Sequence, residues 1–301
     1  MKINQHQKKY AEILEKERIP LGKRPDWLKV RLPSGQNYKD VHQLMRNSKL
    51  NTVCEEARCP NIAECWNART ATFMILGDTC TRSCGFCNVK LGLPTELDLD
   101  EPRRVAESVE QLKLRHVVIT SVNRDELKDG GASIFAETNK LIREKMPETT
   151  IEILIPDFKG EEHAFEIIMQ QPPDILNHNL ETVNRLYHAV RPQAKYSRSL
   201  ELIRWFKGRG LRTKSGIMVG IGEKKEEVLE LMEDLFNHGC DIMTIGQYLQ
   251  PTKNHLPVDR FVTLNEFKEY KEFGIKLGFK AVESSPLIRS SYHADKHARL
   301  I

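Results

Sequence analysis

Two groups of three cysteines dominate the chemistry available to this chain. Cys54, Cys59 and Cys65 are spaced C-x4-C-x5-C in TVCEEARCPNIAECW, and Cys80, Cys84 and Cys87 are spaced C-x3-C-x2-C in CTRSCGFC. Thiolates are soft ligands and suit either zinc or an iron–sulfur cluster. A structural zinc site is usually closed by four ligands, commonly two C-x2-C hooks. The second group offers one C-x2-C and no nearby residue to close it. A cubane cluster held by three cysteines leaves one iron open to a substrate or cofactor, so the open arrangement favours iron–sulfur over zinc. The seventh cysteine, Cys240, stands in the apolar-flanked HGCDIM and reads as a small buried filler.

These ligands need a scaffold, and the chain from residue 71 onward supplies one. Short apolar runs alternate with amphipathic helical patterns: TFMIL (72–76), HVVITS (116–121), TIEILI (150–155), DILNH (174–178), SGIMVG (215–220) and DIMTIGQ (241–247). Helix starts are marked by Asp100 ahead of Pro102, Val105, Val109 and Leu112, by Ser133 ahead of Ile134, Leu141 and Ile142, and by Thr263 with Glu266 as a capping box. Val228, Leu231, Met232, Leu235 and Phe236 form one helical face, closed by Gly239. Six β-then-α units with apolar strands predict an α/β fold with a parallel sheet, a partial, open (β/α)6 TIM-like barrel. Polar residues follow each strand: Asp78; Asn123, Arg124 and Asp125; Asp157; Asn179 and Glu181; Glu223; Gln247 and Tyr248. Barrels carry their chemistry on that C-terminal face. A glycine-rich phosphate fingerprint is missing after the first strand, which weakens a Rossmann reading. Residues 1–70 form an N-terminal extension that includes the first trio, 71–280 the barrel, and 281–301 a C-terminal segment.

Composition narrows the function further. Of the net charge of +4 over 301 residues, all resides in residues 1–30, where eight Lys and Arg face Glu12, Glu15, Glu17 and Asp26. The remainder is balanced, which argues against a nucleic-acid-binding face. The basic arm either meets an acidic partner or is a solvated end. No apolar run approaches the roughly 18 residues of a membrane span, and the N-terminus has no secretory apolar region, so a cytoplasmic location is expected. In that reducing setting dense cysteines serve metal or redox chemistry rather than structural disulfides.

CTRSCGFC, with Phe86 as its aromatic, resembles the C-x3-C-x-aromatic-C signature of radical S-adenosylmethionine enzymes. The resemblance implies a [4Fe–4S] cluster on Cys80, Cys84 and Cys87 that cleaves S-adenosylmethionine to a 5′-deoxyadenosyl radical, with Phe86 near the adenine. It also implies cofactor contacts from Asn123 and Asp125 in SVNRDELKDGG, where both also suit a turn. Gly220 and Glu223 belong to GIMVGIGE (216–223), which resembles the family's fifth-strand glycine motif. Arg198 in KYSRS either serves a carboxylate or starts a helix. The run NHNLETVNRLYHAVRP is expected near the cofactor, with His178 as a hydrogen-bonded supporting residue rather than a ligand.

With the first trio, RPDWLK (24–29) and RSSYHA (289–294), the chain resembles the lipoyl synthase family from about residue 24 to 297. That resemblance implies insertion of two sulfur atoms at C6 and C8 of a protein-bound octanoyl-lysine, using two S-adenosylmethionine and sulfur from an auxiliary [4Fe–4S] cluster. The auxiliary ligands would be Cys54, Cys59, Cys65 and Ser291, with Ser290 as the alternative. A hard oxygen donor among soft thiolates makes one iron easier to detach, which suits a cluster that is dismantled. Implied partners are an octanoylated carrier domain (glycine cleavage H protein or a 2-oxoacid dehydrogenase lipoyl domain), ferredoxin or flavodoxin, and an iron–sulfur cluster carrier. His293 and His297 show no zinc-like spacing, and Glu55, Glu56 and Arg58 read as an exposed helical turn.

Overall fold

The structure, a computed structural model, describes residues 25–294 apart from Arg31, Pro33, Arg69 and His293, together with Lys8 and Glu12. The rest of the basic arm, His293 and His297 lie outside the described residues.

Among the described residues there are ten strands: β1 (Asn51–Thr52), β2 (Thr72–Ile75), β3 (Thr79–Cys80), β4 (Lys90–Leu91), β5 (His116–Ser121), β6 (Thr150–Leu154), β7 (Ile175–Asn177), β8 (Arg212–Val219), β9 (Ile242–Gln247) and β10 (Ala281–Ser284). Eight form one sheet in the order β1-β2-β5-β6-β7-β8-β9-β10, so each strand lies beside its predecessor in that sheet. Only the β1–β2 pair is antiparallel. All six expected strands are here. The sheet also gains the short β1 at one edge and, at the other, a seventh parallel strand, β10, at the start of the segment assigned to the C-terminal piece.

Helices Glu101–Leu112, Ala132–Lys145, Glu162–Met169, Tyr196–Lys207, Lys225–Asn237 and Leu264–Leu277 return the chain between these strands. Covered on both faces, β2 and β9 have every residue buried. The interior also holds polar groups, for which burial requires partners. Lys214 on β8 donates to both Glu152 oxygens on β6, at 3.0 and 3.1 Å, and Asn177 on β7 donates to Glu152 Oε1 at 2.8 Å. Burial acts to raise the Glu152 carboxyl, but Lys214 and its other partners hold it down at about 2.

Three local expectations are corrected. Gly131, in a left-handed conformation, precedes the helix expected to start at Ser133, and Asp129 accepts the Ser133 amide at 2.9 Å. Thr263 does cap its helix, accepting the Glu266 amide at 3.2 Å, but the Glu266 carboxylate is drawn to Arg260 instead of closing a box. Phe236 is 38% exposed and lies on Phe279, off the face that Val228, Leu231, Met232 and Leu235 bury.

Candidate active site

The loop carrying Cys80, Cys84 and Cys87 leaves the C-terminal end of β2 and is sewn to its neighbours by the backbone. Thr81 N donates to Asn123 O after β5, Gly85 N to Val190 O after β7, and Leu256 N, beyond β9, to Gly85 O. His255 Nε2 lies 2.9 Å from Cys87 O, and Gln193 exchanges hydrogen bonds with Ser83. Cys80 Sγ accepts from the Asn123 amide at 3.3 Å and the Arg82 amide at 3.5 Å.

Arg82 itself turns inward. It forms a two-pronged pair with Asp125, at 2.7 and 2.8 Å, and reaches Asp157 at 2.6 Å. Asp157, fully buried after β6, also takes Arg198 at 3.1 Å. Burial acts to raise the Asp157 carboxyl, yet the Arg82 guanidinium holds it at about 2. A forked guanidinium held by two carboxylates fixes both distance and orientation, so Arg82 anchors the cysteine loop to the ends of β5 and β6.

The first trio rests on different elements. Thr52 caps the short helix Val53–Glu56, which carries Cys54, and helix Ile62–Asn67 carries Cys65. Helix Gln36–Asn47 packs on the latter, with Tyr38 5.1 Å from Trp66 between ring centres. Trp66 Nε1, buried and without a conventional acceptor, lies against the Cys54 sulfur and favours its thiolate. The chain's tail crosses this segment: Asn61 Nδ2 donates to Leu287 O at 2.7 Å, and Tyr292 Oη to Glu64 Oε1 at 2.9 Å. Ser290 Oγ accepts from Asn179 Nδ2 at 3.3 Å, at the end of β7, and Ser291 is the half-buried turn residue between it and Tyr292.

Burial pushes the Cys54 and Cys84 thiols up to about 11 and the Cys65 thiol to about 12, and raises Cys59 and Cys87 as well. Each trio adds to this internally: Cys59 raises Cys54, both raise Cys65, and Cys80 and Cys84 raise Cys87. Thiols held protonated are poor nucleophiles but good metal sites, because a bound cation supplies the charge that displaces the protons. Among the described residues no three His, Cys, Asp or Glu converge tightly enough for one metal ion. Three soft thiolates in each trio are a donor set suited to an iron–sulfur cluster.

Charged groups occupy the region that borders both trios. Glu181, left-handed at φ 68° after β7, is raised by burial and opposed by Arg191 and Arg289. Arg191 donates to Asn179 O at 2.7 Å and acts on Cys84, while Arg289 acts on Cys59. His178 is buried with Nδ1 2.8 Å from Ile155 O and Nε2 2.9 Å from Ser199 Oγ, and both ring nitrogens are therefore engaged by protein. Burial, aided by Arg191, lowers its pKa to about 4, so it is neutral at pH 7.

Of the residues expected at the cofactor, Phe86 is half-buried against the core, and Asn123 stands beside Cys80 with Oδ1 buried and unpartnered. Asp125 and Arg198 face Arg82 and Asp157. Glu223 accepts the Gly220 and Ile221 amides at 2.6 and 3.0 Å, tying the turn after β8. Gly220 has φ 89°, and a Cβ there would stand 2.2 Å from Gln247 Nε2, so protein fills that side. Arg191 lies in the run expected near the cofactor, whereas nothing in the sequence reading singles out Arg82, Gln193 or His255 as site residues. Asp125 and Asp157 beyond their strands were the available signal for Arg82, as partners awaiting a cation.

Comparison with known proteins gives two family matches. Residues 74–235 match the radical SAM superfamily, and residues 2–59 match the N-terminal domain of lipoyl synthase of the radical SAM family. The lipoyl synthase of Rubrobacter xylanophilus is 60% identical over 273 residues, 90% of this chain and 85% of that protein. The lipoyl synthase of Flavobacterium psychrophilum is 54% identical over 95% of this chain and 98% of its own, and the mitochondrial lipoyl synthase of Nematostella vectensis is 53% identical over 92% and 96%. Among solved structures, methylornithine synthase (PylB) aligns with a TM-score of 0.50 at 15% identity, covering 86% of this chain and 85% of that one. Streptococcus suis SuiB bound to S-adenosylmethionine aligns with a TM-score of 0.57 at 12% identity, covering 93% of this chain and 62% of that one. The solved structures speak for the fold alone.

Proposed function

This chain belongs to the lipoyl synthase family of radical S-adenosylmethionine enzymes, and from that premise we propose how its residues divide the work. The activity is radical insertion of two sulfur atoms, at C6 and C8, into an octanoyl-lysine carried on a protein, using a [4Fe–4S] cluster and S-adenosylmethionine. In our reading Cys80, Cys84 and Cys87 hold the cluster that faces the cofactor, and Cys54, Cys59, Cys65 and Ser291 hold an auxiliary [4Fe–4S] cluster. The first would supply the electron that makes the 5′-deoxyadenosyl radical, and the second the sulfur.

The chain's own residues position and screen. Arg82, gripped by Asp125 and Asp157, keeps the cysteine loop in place. The unpartnered Asn123 Oδ1 beside Cys80 is an acceptor suited to the ammonium of S-adenosylmethionine. Arg198, steered by Asp157, suits a carboxylate, and Phe86 an adenine face. Asp125 and Glu223 we assign to holding protein rather than cofactor, and Gly220 to close packing under Gln247. Arg191 and Glu181 both act on the charge of Cys84 and of each other, so they set the electrostatics beside the second trio.

The observation that supports the auxiliary assignment is the tail lying across the first trio, held through Leu287 and Tyr292. For partners we infer the glycine cleavage H protein or a dehydrogenase lipoyl domain as carrier, ferredoxin or flavodoxin as electron donor, and a cluster carrier to restore spent sulfur. Among the described residues no helix is long and apolar enough to cross a membrane. Thiols that must stay reduced fit a reducing compartment such as the cytoplasm. To test the sulfur source, the protein is reconstituted with heavy-isotope sulfide and incubated anaerobically with an octanoyl-lysine peptide, reductant and S-adenosylmethionine. The product should gain two heavy sulfurs. Unlabelled sulfur in the product would overturn the assignment.

A further inference from the structure

The five residues between Cys59 and Cys65 are Pro60, Asn61, Ile62, Ala63 and Glu64. Two of their side chains meet the tail, at points on either side of Ser291. Asn61, only 5% exposed, donates from Nδ2 to Leu287 O at 2.7 Å, and Glu64 Oε1 accepts from Tyr292 Oη at 2.9 Å. A turn joins the two points, with Tyr292 N donating to Arg289 O at 2.9 Å. The near end of the tail is fixed to β9, where Gln247 N donates to Pro286 O at 3.1 Å. Gly246 permits this approach, since a Cβ there would stand 2.1 Å from Ile288 O and 2.9 Å from Arg289 Nη1.

We propose that Asn61 and Tyr292 are positioning residues, a clasp that presents Ser291 to the first trio from the very spacer that separates Cys59 and Cys65. The proposal rests on Ser291 being the oxygen ligand of the auxiliary cluster. A serine hydroxyl must lose its proton to bind iron and is a harder donor than the thiolates beside it, so it competes weakly. Fixing a residue of a free tail costs conformational entropy. Here hydrogen bonds between protein groups offset that cost before any metal is engaged. Because helix Ile62–Asn67 both carries Cys65 and grips the tail, the thiolate and serine donors shift as one unit.

The clasp is tested on the full chain with Tyr292→Phe and Asn61→Ala, against Ser291→Ala and wild type. Glu64→Gln, which keeps an acceptor for Tyr292, serves as the conservative control. The first readout is amide hydrogen exchange of residues 285–292 in protein stripped of iron. The second is the rate at which a chelator removes auxiliary-cluster iron from reconstituted protein, followed with the auxiliary Mössbauer signature. Tyr292→Phe and Asn61→Ala should each speed tail exchange and auxiliary iron loss by about fivefold, the worth of one ordinary hydrogen bond. Iron on the second trio should leave at the wild-type rate, and Glu64→Gln should stay near wild type. If Ser291→Ala alters the auxiliary signature while both clasp variants match wild type in exchange and iron loss, the clasp is refuted and the ligand assignment stands. If Ser291→Ala itself leaves that signature unchanged, the ligand assignment fails and the clasp fails with it.

Discussion

The Cys80–Cys87 loop is tied to the barrel through Asn123, Val190, Leu256 and His255, with Arg82 buried among carboxylates beneath it. The Cys54–Cys65 segment instead rests on helix Gln36–Asn47, the edge strand β1 and the crossing tail, elements from opposite ends of the chain. The first arrangement is built into the sheet and surrounded by strand ends. The second is assembled at the edge of the sheet, where β1 pairs with β2. In the proposed division of labour, a cluster used over and over would sit on the support built into the sheet, and one that gives up its sulfur and is rebuilt on the support at its edge. The contrast teaches that the two trios differ in their support as well as in their spacing.

The contrast breaks hardest at Arg82. Arg82→Met leaves the half-buried Asp125 without its cation and the buried Asp157 with Arg198 alone, and losing one partner of such a network costs about 3 kcal/mol. Thermal denaturation should show that loss, and iron analysis should show the deficit on the second trio. Arg82→Lys, which keeps the charge but not the fork, should recover only part of it. Equal iron loss from both trios would remove the distinction.

A smaller effect comes from pH. His178 lies under the barrel mouth with its pKa lowered from the usual 6.5 to about 4, so the unfolded chain takes up a proton more readily than the folded one. Its contribution to stability is complete above pH 6.5 and declines as pH falls toward 4. Between pH 7.5 and 5 the decline is about 2 kcal/mol. Urea denaturation at the two pH values measures it, and His178→Gln should flatten the difference by that amount. A variant with the wild-type pH dependence would show that the histidine is not held neutral.

The smallest effect separates two adjacent serines. Ser290→Ala removes the hydroxyl that accepts from Asn179 and should cost under about 1 kcal/mol. It should leave the auxiliary cluster's spectrum unchanged, whereas Ser291→Ala should change it. The reverse pattern would move the oxygen ligand to Ser290.

Most of the barrel was legible because six strands carry short apolar runs with polar residues beyond their ends, as a sheet covered on both faces favours. β10 escaped notice because AVES is four residues long and half polar, and its place in the sheet comes from pairing with β9 rather than from its own pattern. The cysteines were legible because short spacing within one loop survives in the sequence. The Arg82 network was not, since Asp125 and Asp157 lie 43 and 75 positions further along and meet Arg82 only when the sheet aligns the ends of β5 and β6. The tail clasp was hidden for the same reason: Asn61 and Leu287 are 226 residues apart. Asp125 and Glu223 show the opposite limit. Their positions beyond strands were readable, but whether a carboxylate faces a cofactor or a neighbouring guanidinium or amide is decided by tertiary packing.

The central claim is that the two trios hold two clusters with separate tasks. Its most direct test is iron and acid-labile sulfide analysis of the anaerobically reconstituted chain beside a variant with Cys54, Cys59 and Cys65 all changed to Ala, each then assayed with S-adenosylmethionine and an octanoyl-lysine peptide. Wild type should hold about eight irons and the variant about four, and the variant should still form 5′-deoxyadenosine while adding no sulfur. A variant that retains about eight irons, or that still adds both sulfurs, would contradict the account.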